Sequence, residues 1–249
     1  KIYSSLNPDV VIHLAAVSHA NKSNKDPHST FDHSLRTLEN TLDVCRTNKT
    51  HVIYLSSSMV YGNFTSGIVN EKTPCSPIGI YGTLKYSGEL MVKAYNEVFD
   101  LPYTIIRPSA LYGERCVSRR VGQIFIENAI QGIDIEINGD GNEKLDFTYI
   151  EDLTEGISLA CENDKAKNEI FNITFGNARQ INELLDILKD NFKNIKVNYK
   201  ERDKLMPERG TLENTKAKTL LNFIPKYKIE DGYKEYIHWY KDFWKSINK

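Results

Sequence analysis

Residues 51–58 read His-Val-Ile-Tyr-Leu-Ser-Ser-Ser, an apolar run that ends in three hydroxyl side chains. A short, nearly continuous apolar run is typical of a strand buried on both faces of a parallel sheet. A similar run precedes it at residues 9–14, and a third follows at residues 103–107. The intervals between them show the apolar spacing of amphipathic helices, over residues 31–45 and 81–99. We therefore predict an α/β fold with a doubly wound parallel sheet, whose first two strands are buried on both faces.

The pattern changes after Pro108, where a second region begins without a flexible linker. Apolar spacing there predicts a short strand and four helices, at residues 133–137 and at 121–130, 153–161, 181–192 and 233–243 respectively. The last helix carries an aromatic stripe, which is more often packing than a ligand site. We predict two interleaved regions, residues 1–113 and 114–249, with segments around 139–176 returning to the sheet.

The composition excludes several classes of protein. The chain has 249 residues with 32 Lys and Arg against 33 Asp and Glu, so it has no global positive field for nucleic acid. Mean hydropathy is −0.46, and no apolar run approaches the roughly 18 residues of a membrane span. The four cysteines are too widely spaced for a zinc site. We predict reduced cysteines in a cytoplasmic protein that binds no metal, nucleic acid or membrane.

The pair Tyr81 and Lys85 stands at the start of the predicted helix 81–99. Four-residue spacing places both side chains on one helix face. A free tyrosine has a pKa near 10, too high for a base at neutral pH, and a neighbouring ammonium group lowers that pKa. The pair is therefore suited to taking a proton from an alcohol. Taken alone it is a weak signal, since such pairs occur by chance in many helices.

Hydroxyl groups and small residues are expected near this pair. In open α/β sheets the ligand lies beyond the carboxyl ends of the strands, which is where residues 56–58 fall. A serine hydroxyl there can relay a proton between a substrate and a phenolate. The first strand leads at the same edge into Leu14, Ala15 and Ala16, where small side chains allow close approach by a flat ligand. These features also suit ordinary loops and packing.

Four motifs occur in order: Val-Ile-His-Leu-Ala-Ala at 11–16, Ser-Ser-Ser-Met-Val-Tyr-Gly at 56–62, Tyr-Gly-Thr-Leu-Lys at 81–85, and Arg-Pro at 107–108 leading to Leu-Tyr-Gly at 111–113. With them the chain resembles the extended short-chain dehydrogenase/reductases, specifically the NAD-dependent nucleotide-sugar epimerases and dehydratases, and is similar to the UDP-glucose 4-epimerases. The resemblance covers nearly the whole chain. It implies a Rossmann-like NAD-binding region over residues 1–113 and a smaller, mainly sugar-nucleotide-binding region over 114–249.

The resemblance also implies roles for individual residues. Tyr81 would be the catalytic base, Lys85 the partner that lowers its pKa and binds the nicotinamide ribose, and Ser57 the proton relay. The implied cofactor-binding residues are Leu14, Ala15, Ala16, Ser56, Tyr81, Lys85, Pro108 and Ser109. The implied contacts to the sugar are Ser57, Ser58, Tyr81 and Ala110.

The implied reaction is a transient oxidation. A nucleotide-diphosphate hexose would lose the C4 hydroxyl proton and a hydride, forming a 4-keto sugar that takes the hydride back on its other face. Family members that are dehydratases or decarboxylases carry an acid just after the relay hydroxyl, where this chain has Ser58 and Met59. This favours a 4-epimerase over a 4,6-dehydratase, decarboxylase or reductase. A non-catalytic nucleotide-sugar-binding module is the alternative from another class. Family members commonly dimerise, so a homodimer is expected.

Departures from the family pattern concern the substrate phosphates. The arginine that commonly precedes Asp-Phe is Leu145 here, so a diphosphate needs other cationic donors. We predict that these come from Arg115, Arg119, Arg120 and Arg209, and the alternative for the Arg119–Arg120 pair is a solvated helix start.

One expected element does not occur in the sequence. A dinucleotide-binding sheet opens with a strand, a Gly-rich turn that holds the pyrophosphate, and a helix. Neither G-x-G-x-x-G nor G-x-x-G-x-x-G is found in these residues. The first strand present resembles the fourth strand of the family's sheet, so we expect that about 60 residues precede it in the family's pattern. On that basis we expect residues 1–249 alone to bind NAD weakly and to be inactive.

Overall fold

The structure is a computed structural model, and it describes residues 2–18, 20–116, 118–203 and 205–247. Over these residues, the strands are β1 (Val10–His13), β2 (His51–Leu55), β3 (Ile68–Val69), β4 (Tyr103–Arg107), β5 (Leu111–Tyr112), β6 (Ile135–Asn138), β7 (Lys144–Leu145), β8 (Thr148–Tyr149), β9 (Glu169–Asn172), β10 (Arg179–Gln180), β11 (Val197–Lys200) and β12 (Thr211–Leu212). The α-helices are α1 (Ile2–Leu6), α2 (Ala20–Lys25), α3 (Pro27–Phe31), α4 (Thr37–Arg46), α5 (Gly79–Phe99), α6 (Val121–Gln131), α7 (Ile150–Glu162), α8 (Ile181–Asn191), α9 (Thr215–Leu221) and α10 (Ile229–Ile247).

The main sheet has four parallel strands in the order β1-β2-β4-β9. Alternate residues of β2 enter different apolar cores, because successive side chains point to opposite faces of a sheet. Val52 and Tyr54 pack with residues of α4 and α5, whereas Ile53 and Leu55 pack with residues of α7 and α9. Helices therefore cover both faces, which confirms the predicted doubly wound α/β fold.

Strand β1 differs from the prediction of a strand buried on both faces. Ile12 is 43% exposed, Leu14 beyond the strand is 64% exposed, and only His13 of β1 is buried. Among the described residues β1 pairs with β2 on one side, and no described strand pairs with its other side. Strand β2 lies inside the sheet and is buried throughout, as predicted.

The helix predicted over residues 31–45 is interrupted. Helix α3 ends at Phe31, a π-helical segment follows over Asp32–Arg36, and α4 continues from Thr37. The Thr37 hydroxyl donates to the carbonyl oxygens of His33 and Ser34, at 2.9 and 3.1 Å. The same kind of hydroxyl-to-carbonyl bond occurs in regular α-helix at Thr41 and Thr83, so it does not by itself account for the wider turn.

The second region packs around its own core, which α6, α8 and α10 form together with β6. Strands β6 and β11 pair in parallel beside it. The aromatic side chains Tyr233, Tyr236 and Tyr240 of α10 are buried in this core, so the stripe serves packing. The segment 139–176 returns to the main sheet at β9. Strand β9 therefore joins this segment to the main sheet, while the division into two interleaved regions with a boundary at residues 113–114 stays a prediction.

No helix of the described residues combines the length and apolarity that crossing a bilayer requires.

Candidate active site

A cavity of about 660 Å³ opens at the carboxyl edge of the main sheet. Residues that follow β1, β2 and β4 line one side of it, and the start of α5 and residues near α6 line the others. The predicted site residues that line it are Leu14, Ala16, Ser56, Ser57, Ser58, Tyr81, Lys85, Pro108, Ser109, Ala110, Arg119, Arg120 and Arg209. The structure thus brings thirteen of the fifteen predicted residues to one cavity.

Two predicted residues lie outside this lining. Ala15 is exposed. Arg115 is also exposed, and it occupies the left-handed region of backbone conformation with φ of 59°. Neither side chain lines the cavity, so neither supports the role implied for it.

Ser57 and Tyr81 line the same cavity, and the Ser57 side chain lowers the pKa of Tyr81. Ser57 has an extended backbone and caps the short 3₁₀ turn that follows β2, its hydroxyl accepting from the Met59 amide at 3.2 Å. The start of α5 lies against this turn at Gly82, where an added Cβ would fall 2.8 Å from the Met59 carbonyl oxygen. A glycine therefore permits the close approach that places Tyr81 against Ser57.

The ionisation of Tyr81 departs from the prediction. Burial of its hydroxyl raises the pKa of Tyr81, and Arg120, Ser57 and Arg209 each lower that pKa in part. Lys85 is not among the groups that lower it. The positive charges that favour the phenolate come instead from the two arginines that were predicted to bind phosphate.

The position of the Lys85 ammonium group explains why it does not lower the pKa of Tyr81. Its Nζ donates to the carbonyl oxygen of Leu55 at 2.6 Å, at the end of β2, and lies 5.1 Å from the centre of the Tyr54 ring. Burial lowers the pKa of Lys85 to about 8. The spacing of four residues does place Tyr81 and Lys85 on one helix face, but the ammonium is directed to the strand end.

His13 is a residue of this edge that the sequence analysis did not select. Its imidazole is 5% exposed, and Nδ1 is hydrogen-bonded to the Thr41 hydroxyl at 3.1 Å. Burial, with a contribution from the charge of Lys85, lowers the pKa of His13 to about 4. His13 is therefore neutral at pH 7. The only signal in the sequence was its place at the end of the first strand.

The arginines divide into two kinds. Arg119 forms an ion pair with Glu127, with 2.7 Å between Nη2 and Oε2. Arg209 has a buried Nε without a hydrogen-bond partner, and burial together with the charge of Arg120 lowers the pKa of Arg209 to about 10. Arg120 donates to the Ser18 carbonyl oxygen at 2.8 Å. Like charges brought together without a carboxylate favour an anion at Arg209 and Arg120.

A second cavity, of about 490 Å³, adjoins the first near the turn between β6 and β7. The two share Glu143, Lys144, Arg202 and Arg209 in their lining. Arg209 therefore stands between a cavity that contains the Tyr81 hydroxyl and a second, more polar space. This arrangement suits an elongated ligand with an anionic centre. No cluster of His, Cys, Asp and Glu that could hold a metal ion occurs within the described ranges.

The fold and this site together define a Rossmann-like α/β enzyme with its ligand cavity at the carboxyl edge of the sheet. Residues 1–174 match the NAD dependent epimerase/dehydratase family, and the chain belongs to that family.

Three known proteins illustrate the similarity. The chain is 33% identical to a putative UDP-glucose 4-epimerase of Methanocaldococcus jannaschii, over 94% of this chain and 77% of the relative. It is 28% identical to the crystal structure of UDP-glucose 4-epimerase from Thermotoga maritima with UDP-glucose, with a TM-score of 0.91 over 97% of this chain and 80% of that one. It is also 28% identical to UDP-glucuronic acid 4-epimerase from Bacillus cereus in complex with UDP-glucuronic acid and NAD. The TM-score for that structure is 0.92, over 97% of this chain and 77% of that one.

Proposed function

We propose that this protein is an NAD-dependent nucleotide-sugar 4-epimerase that acts on a uridine-diphosphate hexose. The observation that carries the proposal is that Ser57 and Tyr81 line one cavity with Arg209, whose buried Nε has no hydrogen-bond partner among the described residues. The three relatives described above are named as 4-epimerases of UDP-sugars. Enzyme class, substrate class and site chemistry therefore agree.

The residues at the sheet edge fit the nicotinamide half of NAD. Leu14, Ala16 and Pro108 give an apolar lining, while Ser56 and Lys85 add polar groups in the same cavity. When bound, NAD accepts the C4 hydride of the sugar and returns it. The chain's own part is to bind the nicotinamide on an apolar surface and to exclude water from it.

Tyr81 is assigned as the group that takes the proton of the C4 hydroxyl and later gives it back. Ser57 lines the cavity with Tyr81 and lowers its pKa, so it can pass the proton between sugar and phenol. Arg120 and Arg209 favour the phenolate electrostatically. After the 4-keto sugar turns over in the cavity, C4 would regain its hydride on the opposite face, and the same hydroxyl groups would return the proton to the C4 oxygen.

Arg209 and Arg120 are assigned to the diphosphate of the substrate. Arg209 stands between the two cavities, and its buried Nε has no protein partner, so a phosphate oxygen would satisfy a donor that is otherwise costly to bury. Arg119 is a weaker candidate, since Glu127 already neutralises it.

The 4,6-dehydratase alternative needs a general acid beside the relay hydroxyl. The two residues after Ser57 are Ser58 and Met59, both buried, and neither side chain can donate a proton at neutral pH. This supports an epimerase over a dehydratase or decarboxylase.

The test uses the protein expressed from its complete gene. It is incubated with NAD⁺ and a panel of UDP-, dTDP-, GDP- and CDP-sugars, and products are identified by NMR. The expected product is the C4 epimer of a UDP-sugar without net NADH. A 4-keto-6-deoxy product or net cofactor reduction would contradict the proposal. Binding without conversion of any sugar would favour the non-catalytic module.

Removal of the proposed base is the first control. Tyr81→Phe keeps the ring and its packing, so we expect an unchanged fold and a loss of kcat of about 10²- to 10⁴-fold. Circular dichroism and thermal unfolding check the fold, and the NMR assay measures the rate. Full activity in Tyr81→Phe would refute the assignment of the base.

We further propose a homodimer formed through α4 and α5. These helices pack side by side, with Arg46 lying 5.0 Å over the Phe99 ring, and they carry the exposed apolar side chains Val44, Leu90 and Val98. Sedimentation equilibrium should give twice the chain mass, and Leu90→Glu should shift the protein to monomer. A monomeric wild-type protein would contradict this.

A cytoplasmic location is proposed as well. It is supported by the four cysteines, which are all free thiols in the structure, as is usual in reducing compartments. Fractionation of cells that express the tagged protein tests it, and recovery outside the cytoplasmic fraction would contradict it.

A further inference from the structure

Glu89 is a buried carboxylate one helical turn beyond Lys85 on α5, and it is 0% exposed. Its Oε1 accepts from the Ser56 hydroxyl at 2.5 Å and from Arg107 Nε at 2.9 Å. Its Oε2 accepts from Arg107 Nη2 at 2.6 Å. Arg107 is itself 2% exposed, so the pair is buried and bidentate, the strongest form of charge-assisted hydrogen bonding.

Ser56 and Arg107, the two hydrogen-bond partners of Glu89, are each adjacent in sequence to a residue that lines the cavity. Ser56 directly precedes Ser57 at the end of β2, and Arg107 directly precedes Pro108 at the end of β4. The Tyr61 ring, which follows the turn after Ser57, lies 4.8 Å from the Arg107 guanidinium. Glu89 therefore links the ends of β2 and β4 to α5, next to the residues of both strand ends that line the cavity.

We propose that Glu89 is a positioning residue of the active site, which holds the ends of β2 and β4 against α5 and supplies the negative charge that faces Lys85. Its geometric basis is independent of the reaction, whereas its effect on turnover rests on the proposed epimerase function.

The groups around Lys85 support the electrostatic part. Glu89 faces it from α5, the Tyr54 ring from β2 and His13 from β1, while Arg107 of β4 is paired with Glu89. Burial lowers the pKa of Lys85, and Glu89 is the group that raises it. His13 is neutral at pH 7, since its pKa lies near 4. Loss of the Glu89 charge should therefore lower the pKa of Lys85 further.

Three variants separate charge from folding. Glu89→Gln keeps the shape but leaves Arg107 buried without a counter-ion, which is strongly destabilising. Glu89→Gln/Arg107→Met removes both buried charges, and replacing a buried ion pair by apolar groups is often tolerated. Glu89→Asp keeps the charge. Glu97→Gln is the matched control, because Glu97 lies two turns further along α5 and is exposed.

The first measurement is an NMR titration of protein that carries ¹³Cε-lysine, with the Lys85 signal assigned by its absence in Lys85→Met. In Glu89→Gln/Arg107→Met we expect the pKa of Lys85 to fall by about one unit or more. Glu97→Gln should titrate like the wild type, and Glu89→Asp should stay close to it. An unmoved Lys85 titration in the double variant would overturn the proposal.

The second measurement is the pH dependence of kcat in the epimerase assay. If charged Lys85 is required, activity falls as pH rises through its pKa, so the alkaline limb should move to lower pH by the same amount in the double variant. A lower kcat with an unmoved limb would mean a merely structural role. If the wild type has no epimerase activity, the proposed function fails, while the NMR titration still decides the role of Glu89.

Discussion

The buried imidazole of His13 links stability to pH at the scale of one residue. It lies between the Tyr54 ring, 6.1 Å away between centroids, and the Thr41 hydroxyl of α4. Its pKa is about 4 in the folded protein and 6.5 in an unperturbed chain. Because the folded value is the lower one, the stability it contributes is fully present above pH 6.5. That contribution is lost as pH falls from there toward 4.

We expect His13→Asn to remove this dependence. Between pH 7 and pH 4.5 the free energy of unfolding of the wild type should fall by about 2–3 kcal/mol more than that of the variant. Urea unfolding at the two pH values measures the difference, and any constant effect of the substitution cancels. Equal changes in the two proteins would show that His13 is not the titrating group.

Ser57 has two roles, which a substitution should separate. Ser57→Ala should lower kcat by about 10- to 100-fold through loss of the relay, with a small change in KM. It should also cost about 1 kcal/mol of stability, because the 3₁₀ turn loses its cap. Ser57→Thr keeps a hydroxyl and should retain more activity. As a control, Ser87→Ala on α5 removes an exposed hydroxyl that bonds only within its own helix. Wild-type kcat in Ser57→Ala would rule out the relay.

At the scale of elements, the contact of α5 with β2 depends on Gly88. A Cβ at this position would lie 2.3 Å from the Tyr54 hydroxyl oxygen and 3.1 Å from Leu38 Cδ2. Close packing leaves no room for an added methyl group, and both neighbours are in the core. The lack of a side chain at Gly88 therefore allows the helix that holds Tyr81 and Lys85 to pack closely against β2.

Gly88→Ala should destabilise the protein by about 1–3 kcal/mol, although alanine is the better helix former by roughly 1 kcal/mol. Gly88→Ala/Tyr54→Phe should recover part of the loss, because the phenol oxygen is gone. Thermal and urea unfolding of the three proteins measure this. A Gly88→Ala protein more stable than the wild type would show that α5 can shift without cost.

The elements that could be predicted are those whose signal is local. Strands β2 and β4 were predicted at residues 51–55 and 103–107, where they lie, because continuous apolar runs mark buried strands. The exposure of Ile12 in β1 could not be predicted in this way, since exposure depends on which elements pack beside a strand. The π-helical segment at Asp32–Arg36 was not predicted, because apolar spacing does not distinguish it from a regular α-helix.

The candidate active site likewise contains residues that could be predicted from the sequence and residues that could not. Motif order, with the rule that ligands bind beyond the carboxyl ends of parallel strands, predicted that Ser57, Tyr81 and Lys85 share one site. All three line one cavity in the structure. The Lys85 ammonium donates to a carbonyl oxygen at the end of β2, a contact that the four-residue spacing does not encode, and the role of Lys85 toward Tyr81 stays a prediction. Glu89 was missed, although its spacing of four from Lys85 placed it on the same helix face. Only the fold reveals its partner 18 residues away.

At the scale of the whole molecule, Asp146 joins segments that are far apart in the sequence. It is 0% exposed, and its carboxylate accepts from the amides of Gly176 and Leu212 at 3.1 and 3.0 Å. Leu212 lies three residues after Arg209, so this link helps to hold the segment that contains Arg209 against the core. Burial raises the pKa of Asp146 to about 6 from an ordinary 3.8.

The sign of the linkage is opposite to that of His13. Because the folded pKa of Asp146 is the higher one, its contribution to stability is fully present below pH 3.8. It is lost as pH rises through 6. Asp146→Asn should remove this dependence. From pH 4 to pH 7, the wild type should lose about 3 kcal/mol of unfolding free energy relative to the variant.

His13→Asn and Asp146→Asn together test the pKa values assigned to these two buried groups. His13 and Asp146 titrate over the same range in opposite directions, so their effects partly cancel in the wild type. Relative to the wild type, between pH 4.5 and pH 7, the stability of His13→Asn should slope downward and that of Asp146→Asn upward as pH rises. In His13→Asn/Asp146→Asn the two slopes should cancel if the sites are independent. Slopes of the same sign in the single variants would contradict at least one of the buried pKa values.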